Sequence, residues 1–183
     1  MTQKFDTVTI WTVGHSTLPI QAFEDLLRPH EIQVIADVRR FPMSRRHPQF
    51  NHDALARSLA EVGVRYLPFQ ELGGRRAPRP NTSNTAWRNP AFRGYADYME
   101  TEPFLAAMER LGTTASRSRT AVMCAEALWW RCHRALIADY VRASGGEVLH
   151  IMSDGATIGH PYTAAANLID GRLSYAGEPT LDL

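Results

Sequence analysis

The chain contains 183 residues with a formal net charge of +1, and 44% of its residues are apolar and 21% are charged. This composition is typical of a folded domain and excludes a disordered or low-complexity chain. The near-neutral total gives no reason to expect a strongly charged partner for the chain as a whole.

The basic residues are nevertheless concentrated in one part of the chain. Residues 38–96 contain eleven arginines and three acidic residues, whereas the remainder contains nine basic and sixteen acidic residues. Only Lys4 among the basic residues is not an arginine, and a guanidinium group can bind phosphate or carboxylate through two hydrogen bonds at once. The central segment therefore favours an anionic ligand.

The two cysteines, Cys124 and Cys132, are too few for a disulfide framework. The N-terminus lacks the pattern of a signal peptide, and no apolar run reaches the roughly 20 residues that cross a bilayer. We therefore expect a cytoplasmic protein without a membrane partner. The sequence indicates neither a cofactor nor an oligomeric state.

Strand-like runs alternate with amphipathic helical patterns along most of the chain. Strands are predicted at 8–13, 32–38, 64–69, 121–124 and 147–152. Helices are predicted from Pro19, over 52–62, over 95–111 with a break at Pro103, and over 129–143. The alternation predicts one α/β domain with a mainly parallel, roughly five-stranded sheet flanked by helices, a Rossmann-like three-layer arrangement.

The core of this domain is expected to span about residues 8–160. The stretch from 73 to 94 is rich in arginine, proline and asparagine, and it is predicted to be a flexible basic loop. The remaining residues, 161–183, are expected to form an irregular extension with a short helix near 163–169.

Polar residues lie at or just beyond the ends of all five predicted strands, with His150 and Asp154 at the fifth. In an open parallel sheet these ends meet at one edge, where ligands bind. We therefore expect a site at this edge. Its candidate residues are His15, Ser16, Asp37, Arg39, Ser44, Arg45, Glu126, Arg131, Cys132, His133 and Arg134.

Two of these groups have a structural alternative. His15 and Ser16 precede a helix whose N-terminus would attract an anion, but Ser16 or Thr17 would also serve as an ordinary helix cap. Asp37 and Arg39 point to the same face of a strand, so they form either part of the site or a structural ion pair.

The cysteine cluster allows three chemistries. Cys132, at the start of a helix and beside His133, is a candidate thiolate nucleophile. Alternatively, the cysteines only pack while Arg131 and Arg134 bind an anion. A metal site is the third option, but seven residues separate Cys124 from Cys132 and a closed zinc site needs four ligands, so no metal is expected.

Aromatic residues accompany the arginines of the basic loop. Trp87 and Phe92, together with these arginines, suit phosphates and stacked bases, although a solvated loop is the alternative. Of Trp129 and Trp130, one is expected to pack in the core while the other stacks on a ring.

Four separated motifs occur in order along the chain. They are Thr12–Ser16, Asp37–Ser44, Glu71–Gly74, and Met123–Glu126 followed by Cys132–Arg134. In combination they resemble the bacterial domain-of-unknown-function 488 family over about residues 8–160. The resemblance implies an α/β domain and no particular activity.

These observations predict an enzyme acting on a phosphate-bearing substrate, either a nucleotide or a nucleic acid. Arginines 39, 45, 131 and 134, with Ser16 and Ser44, would hold the substrate, and His15 would orient one of its oxygens. Glu126, Asp37 or His133 would transfer protons, and Cys132 would be the nucleophile or a redox-sensitive thiol. The alternatives are a binding module that uses the same cleft without turnover, and an interaction subunit.

Overall fold

The computed structural model describes residues 5–177. Its helices are α1 (Ile20–Leu27), α2 (His52–Glu61), α3 (Pro90–Met99), α4 (Glu102–Ala115) and α5 (Arg134–Ala143). Its strands are β1 (Thr9–Gly14), β2 (Val34–Asp37), β3 (Arg65–Pro68), β4 (Thr120–Cys124), β5 (Glu147–Ile151), β6 (Thr157–Gly159), β7 (Asn167–Ile169) and β8 (Arg172–Ser174). Among these described residues, no helix is both long and apolar enough to cross a membrane.

One sheet with the strand order β3-β2-β4-β1-β5-β6 forms the centre of the fold. Its first five strands are parallel, and β6 runs antiparallel to β5 at one edge. Met123 lies opposite both Val13 and Asp37, so β1, β2 and β4 end at the same level. The predicted α/β class and mainly parallel sheet are confirmed, with β6 as an additional edge strand.

Helices cover both faces of the sheet because its strands are apolar on both sides. Alternate residues of β1 show this clearly: Trp11 packs on one face with α1 and α2, and Ile10 packs on the other with α3, α4 and α5. The result is the three-layer arrangement that the alternating strands and helices predicted.

Three helix predictions are wrong in detail. The helix predicted over 95–111 is two helices that separate at residues 100–101, and Pro103 lies in the first turn of α4, where proline is tolerated. The helix predicted from Trp129 begins at Arg134, after a short 3-10 turn at Trp129–Arg131. The short helix predicted near 163–169 is replaced in part by the hairpin β7–β8, which occupies 167–174 of the extension predicted to be irregular. Residues 178–183 of that extension lie outside the described residues.

The predicted basic loop has no helix or strand from residue 73 to residue 89, and α3 replaces its last residues. Asp97 of α3 ties the loop down by accepting hydrogen bonds from the Arg79 backbone N–H and from the Thr82 and Asn84 side chains. Burial raises the pKa of Asp97, but these hydrogen bonds outweigh it and lower the pKa overall.

Gly14 lets the ends of β1 and β4 approach each other closely. A Cβ atom at this position would lie 2.0 Å from the Glu126 carbonyl oxygen. The backbone N–H groups of His15 and Ser16 donate to the carbonyl oxygens of Cys124 and Ala125 at 3.0 and 2.9 Å. The glycine therefore holds the segment that follows β4 against the segment that follows β1.

We predict that Gly14→Ala destabilises the protein by at least about 2 kcal/mol, because the contact is with backbone that cannot rotate away. Gly159→Ala is the matched control, since a Cβ atom there meets no atom within 4 Å. Urea unfolding measures both variants. Equal stabilities for the two variants would contradict this role of Gly14.

Candidate functional site

A cleft of about 610 Å³ lies at the carboxyl edge of the sheet. Eight of the eleven candidate residues line it: His15, Ser16, Arg39, Ser44, Glu126, Arg131, Cys132 and His133. The other three do not, since Asp37 and Arg134 are each 1% exposed beneath the surface and Arg45 is exposed outside the cleft lining. A second cavity of about 580 Å³ is lined by residues of α3, α5 and β8 and contains none of the candidates.

Asp37 holds Arg39 in place at one side of the cleft. Its carboxylate accepts hydrogen bonds from the Arg39 backbone N–H, from Nε and from Nη2, the last at 2.6 Å. It also accepts one from the Tyr66 hydroxyl at 2.6 Å. Because Asp37 is buried and surrounded by these donors, it acts as the ion-pair partner of Arg39. A proton-transfer group would need to face the cleft, and Asp37 does not, so the structure does not support its predicted proton-transfer role.

His15 also contacts Arg39. Its Nδ1–H donates to the Ser16 carbonyl oxygen at 2.9 Å, so its Nε2 accepts from Arg39 Nη1 at 3.2 Å. Its ring stacks on Phe50 at 4.0 Å. Burial, reinforced by the positive charge of Arg39, lowers the pKa of His15 to about 4. His15 is therefore neutral near pH 7 and orients Arg39.

Ser16 and Thr17 line the cleft but do not cap α1. The cap position of α1 is Pro19, and no side chain caps the helix. Ser16 has a positive φ of 47°, a conformation that is uncommon for residues other than glycine. The capping alternative is therefore wrong, and the strand-to-helix turn presents Ser16 to the cleft.

Cys132 lies two residues before α5, at the floor of the cleft. Its Sγ accepts hydrogen bonds from the backbone N–H of Arg134 at 3.5 Å and from Arg134 Nε at 3.4 Å. Burial raises the pKa of the Cys132 thiol, but hydrogen bonding from Cys124 and the proximity of His133 and Arg134 lower it well below its usual range. The hydrogen bond to Cys132 and burial raise the pKa of Cys124, which remains a thiol.

His133 is oriented toward the same sulfur. Its Nε2–H donates to the Val38 carbonyl oxygen at 3.1 Å, which leaves Nδ1 facing Cys132 Sγ at 3.6 Å. A Cβ atom at Gly74 would lie 2.9 Å from this Nδ1. The second glycine of the Glu71–Gly74 motif thus leaves room for a proton acceptor beside the thiol.

Arg134 is a buried cation without a carboxylate partner among residues 5–177. Besides Cys132, it donates to Thr12 Oγ1 at 3.3 Å and to the backbone carbonyl oxygens of Glu126 and Ala127. Because Arg134 is 1% exposed, it supports the floor of the cleft and does not contact a substrate directly, contrary to its predicted anion-binding position.

A buried hydrogen-bonded chain continues from Thr12 away from the cleft. Thr12 Oγ1–H donates to His150 Nδ1 at 2.6 Å, His150 Nε2–H donates to His160 Nδ1 at 2.9 Å, and His160 Nε2–H donates to Asp139 at 2.9 Å. Burial, followed by the proximity of His160, lowers the pKa of His150 to about 3, so its ring is neutral.

The far end of this chain is anchored in the C-terminal part of the fold. Asp139 accepts further hydrogen bonds from Thr163 and from the Tyr175 hydroxyl. Trp129 stacks on His150 at 4.3 Å, whereas Trp130 is 47% exposed. The predicted division of the two tryptophans is therefore wrong, because Trp129 both packs against the core and stacks on a ring, and Trp130 does not line the cleft. His160, Asp139 and Tyr175 were not predicted as part of the site.

The remaining cleft residues are more exposed. Glu126 and Arg131 are exposed on the side that follows β4. Arg75 is the arginine of the predicted basic loop that reaches the cleft. By contrast, Arg76 lies over the Tyr98 ring, Arg79 pairs with Glu100, and Arg93 donates to the Trp87 carbonyl oxygen.

Cys124, Cys132 and His133 offer three donor atoms that lie within 4.8 Å of one another. The spacing of the two cysteines in the sequence is therefore no obstacle to a metal ion. Three donors are nevertheless one short of a closed structural zinc site. Arg134 also already directs two N–H groups at the Cys132 sulfur, and this arrangement suits a bare thiolate.

We predict that Asp37→Asn costs about 3–5 kcal/mol of unfolding free energy, because it leaves Arg39 buried without its counter-charge. Asp25→Asn is the matched control: its ion pair with Arg28 is exposed, so the expected loss is below about 1 kcal/mol. Urea unfolding near pH 7 distinguishes the two. A loss for Asp37→Asn no larger than the control's would show that the pair is not needed for stability.

The lowered pKa of His15 predicts a pH dependence of stability. Its unfolded-state pKa is about 6.5 and its folded-state pKa is about 4, so the unfolded chain binds the proton more readily between these values. The contribution of His15 is complete above about pH 6.5 and is lost as the pH falls toward about 4. His15→Gln should reduce the slope of unfolding free energy against pH by about 1 kcal/mol per unit in this window. An unchanged slope in urea titrations would contradict the neutral, buried imidazole.

Comparison with known proteins is consistent with the motifs at the cleft. The model of the family described as "Domain of unknown function DUF488" matches residues 19–141, which is more than half of the chain. A search of curated proteins finds no match, and a search of solved structures finds none either. The matched region contains Asp37, Arg39 and the Cys132–Arg134 motif, and the chain therefore belongs to the DUF488 family.

Proposed function

We propose that this protein is an enzyme that uses the Cys132 thiolate at the floor of the cleft to act on a phosphate-bearing substrate, either a nucleotide or a nucleic acid. The observation that carries the proposal is the environment of Arg134. A buried charge needs a compensating partner. Among the side chains that Arg134 contacts in residues 5–177, Cys132 is the one that can become an anion.

Three further groups favour the thiolate form. The Cys124 thiol lies close to the Cys132 sulfur and helps to lower the pKa of Cys132, and His133 Nδ1 faces that sulfur at 3.6 Å, where it can accept the thiol proton. Cys132 also precedes the N-terminus of α5, where backbone N–H groups favour a negative charge. A thiolate beside an imidazole is the arrangement that activates cysteine as a nucleophile.

The walls of the cleft favour an anionic substrate. Arg39, Arg75 and Arg131 line it, and Glu126 is its one acidic lining residue among those described. Hydrogen bonds within residues 5–177 occupy four of the five N–H groups of the Arg39 side chain. The fifth, on Nη1, is available to a phosphate oxygen in the cleft. Exposed Glu126 is the group we assign to proton transfer with the substrate.

The chemistry also bears on the compartment. The proposed reaction needs Cys132 as a free thiol, although the Cys124 sulfur lies within 4.8 Å of it. A reducing compartment keeps such a pair of thiols from forming a disulfide. The proposal accordingly places the protein in the cytoplasm.

Alkylation by iodoacetamide, mapped by mass spectrometry, tests the thiolate and the anion site together. We expect Cys132 to be modified in preference to Cys124, with a midpoint below about pH 8.5, and AMP or inorganic phosphate should slow the reaction. Arg131→Gln should weaken this protection, whereas Arg117→Gln, an exposed arginine outside the cleft lining, should not. A midpoint near about 8.5 with no protection by either anion would overturn the proposal.

Turnover separates the enzyme from a binding module. A nucleotide-containing extract incubated with the protein should change in composition, and Cys132→Ser should abolish the change. Glu126→Gln should retain AMP protection of Cys132 while losing turnover. Anion binding by the wild-type protein without any change in the extract would support the non-catalytic alternative and contradict the enzyme.

A further inference from the structure

One wall of the cleft carries apolar side chains that are exposed to solvent. Phe41 is 64% exposed and Met43 is 72% exposed, and both line the cleft. They belong to the segment that follows β2, residues 40–47, which we call the rim segment. Exposed aromatic and thioether groups beside a polar cleft mark a surface that binds a partner.

Hydrogen bonds hold the rim segment in this conformation. The Ser44 backbone N–H donates to Asn51 Oδ1 at 2.5 Å, and the His52 backbone N–H donates to the Pro42 carbonyl oxygen at 3.1 Å. The Ser44 hydroxyl oxygen accepts from the backbone N–H groups of residues 46 and 47 at 3.2 and 3.1 Å. The segment is thus anchored at several points, and it presents Phe41 and Met43 outward.

Positive charge surrounds these two side chains and extends beyond the cleft. Arg40, Arg45 and Arg46 are exposed on the rim segment itself, and the Arg40 guanidinium lies 5.5 Å from the centre of the Phe41 ring. Arg40 also donates to the Arg75 carbonyl oxygen at 2.8 Å, which joins the rim segment to the basic loop. A single phosphate would not need arginines outside the cleft, whereas a polyanion would contact them.

The depth of the cleft restricts the form of such a polyanion. Cys132 is 4% exposed at its floor, so only a group inserted into the cleft reaches the sulfur. A base that is paired and stacked within a duplex is not available for insertion, whereas an unpaired base is. Unpaired bases also stack on exposed aromatic side chains.

We propose that the rim segment binds single-stranded nucleic acid, with one base stacked on Phe41 against Met43, the arginines along the backbone, and a neighbouring nucleotide inserted toward Cys132. This inference rests on the proposed function, because it names the substrate class of the same cleft. In this proposal the Asp37–Ser44 motif has two roles: Asp37 holds Arg39 in place, and the exposed residues of the motif bind the nucleic acid.

Fluorescence anisotropy with a labelled single-stranded oligonucleotide of about 12 residues tests the inference. We expect binding to DNA or RNA single strands that is tighter than binding to the matching duplex, and an affinity that falls with salt with a log–log slope of about −2, as expected for about three phosphate contacts. Separate titrations with DNA and with RNA strands show which of the two nucleic acids the protein binds more tightly.

The variant Phe41→Ala/Met43→Ala should bind the single strand about tenfold or more weakly, because it removes the stacking surface. Leu168→Ala/Ile169→Ala is the matched control: these residues are 50% and 55% exposed on β7, and their removal should leave the affinity unchanged. A far-ultraviolet circular dichroism spectrum and a urea midpoint of the rim variant that match the wild type would exclude misfolding as the cause.

The remaining outcomes separate the two proposals. Protection of Cys132 by AMP without oligonucleotide binding would overturn the single-strand inference and leave the proposed function standing. Equal affinity for duplex and single strand, or equal loss in the control variant, would also overturn the inference. Self-association that depends on Phe41 and Met43, without oligonucleotide binding, would instead identify the rim segment as a contact between two copies of the chain.

Discussion

The Arg134 guanidinium is buried at the junction of β1, β4 and α5, and no carboxylate among residues 5–177 pairs with it. Its hydrogen bonds go to the Cys132 sulfur, to the Thr12 hydroxyl and to two carbonyl oxygens of the segment after β4. The cost of burying an isolated cation is large, so this arrangement favours a negative charge on the sulfur. The chemistry that we propose for the cleft depends on this one electrostatic constraint.

The surrounding fold keeps the cation and the sulfur in place. Gly14 lets the Glu126 carbonyl oxygen approach β1, and Arg134 donates to the same oxygen. In the hydrogen-bonded series from Thr12 through His150 and His160, each side chain donates to the next, and the last donor, His160, donates to Asp139. The buried charges of Arg134 and Asp139 are therefore joined by a series of hydrogen bonds, and β5, β6 and α5 must all pack correctly for these hydrogen bonds to form.

Much of the site's location could be predicted from the sequence because β1, β2 and β4 are apolar runs that end in polar residues at one level of a parallel sheet. The position of Arg134 could not be predicted in this way. The sequence pattern predicts a helix from Trp129, whereas α5 begins at Arg134, and this later start places Arg134 beneath Cys132. The hydrogen-bonded series from Thr12 to Asp139 was also not predicted. His160 follows β6, whose three residues are all exposed and too few to show a strand pattern, and Tyr175 follows a hairpin that was predicted to be irregular.

The most direct measurement of the central claim is the ultraviolet absorbance of the cysteine thiolate, recorded as the difference between the wild-type protein and Cys132→Ser from about pH 5 to about pH 9. The thiolate signal is expected to be fully developed at neutral pH, because Arg134, His133 and the Cys124 thiol all stabilise the anion. A signal that appears only near about pH 8.5, as for an unperturbed thiol, would contradict the account.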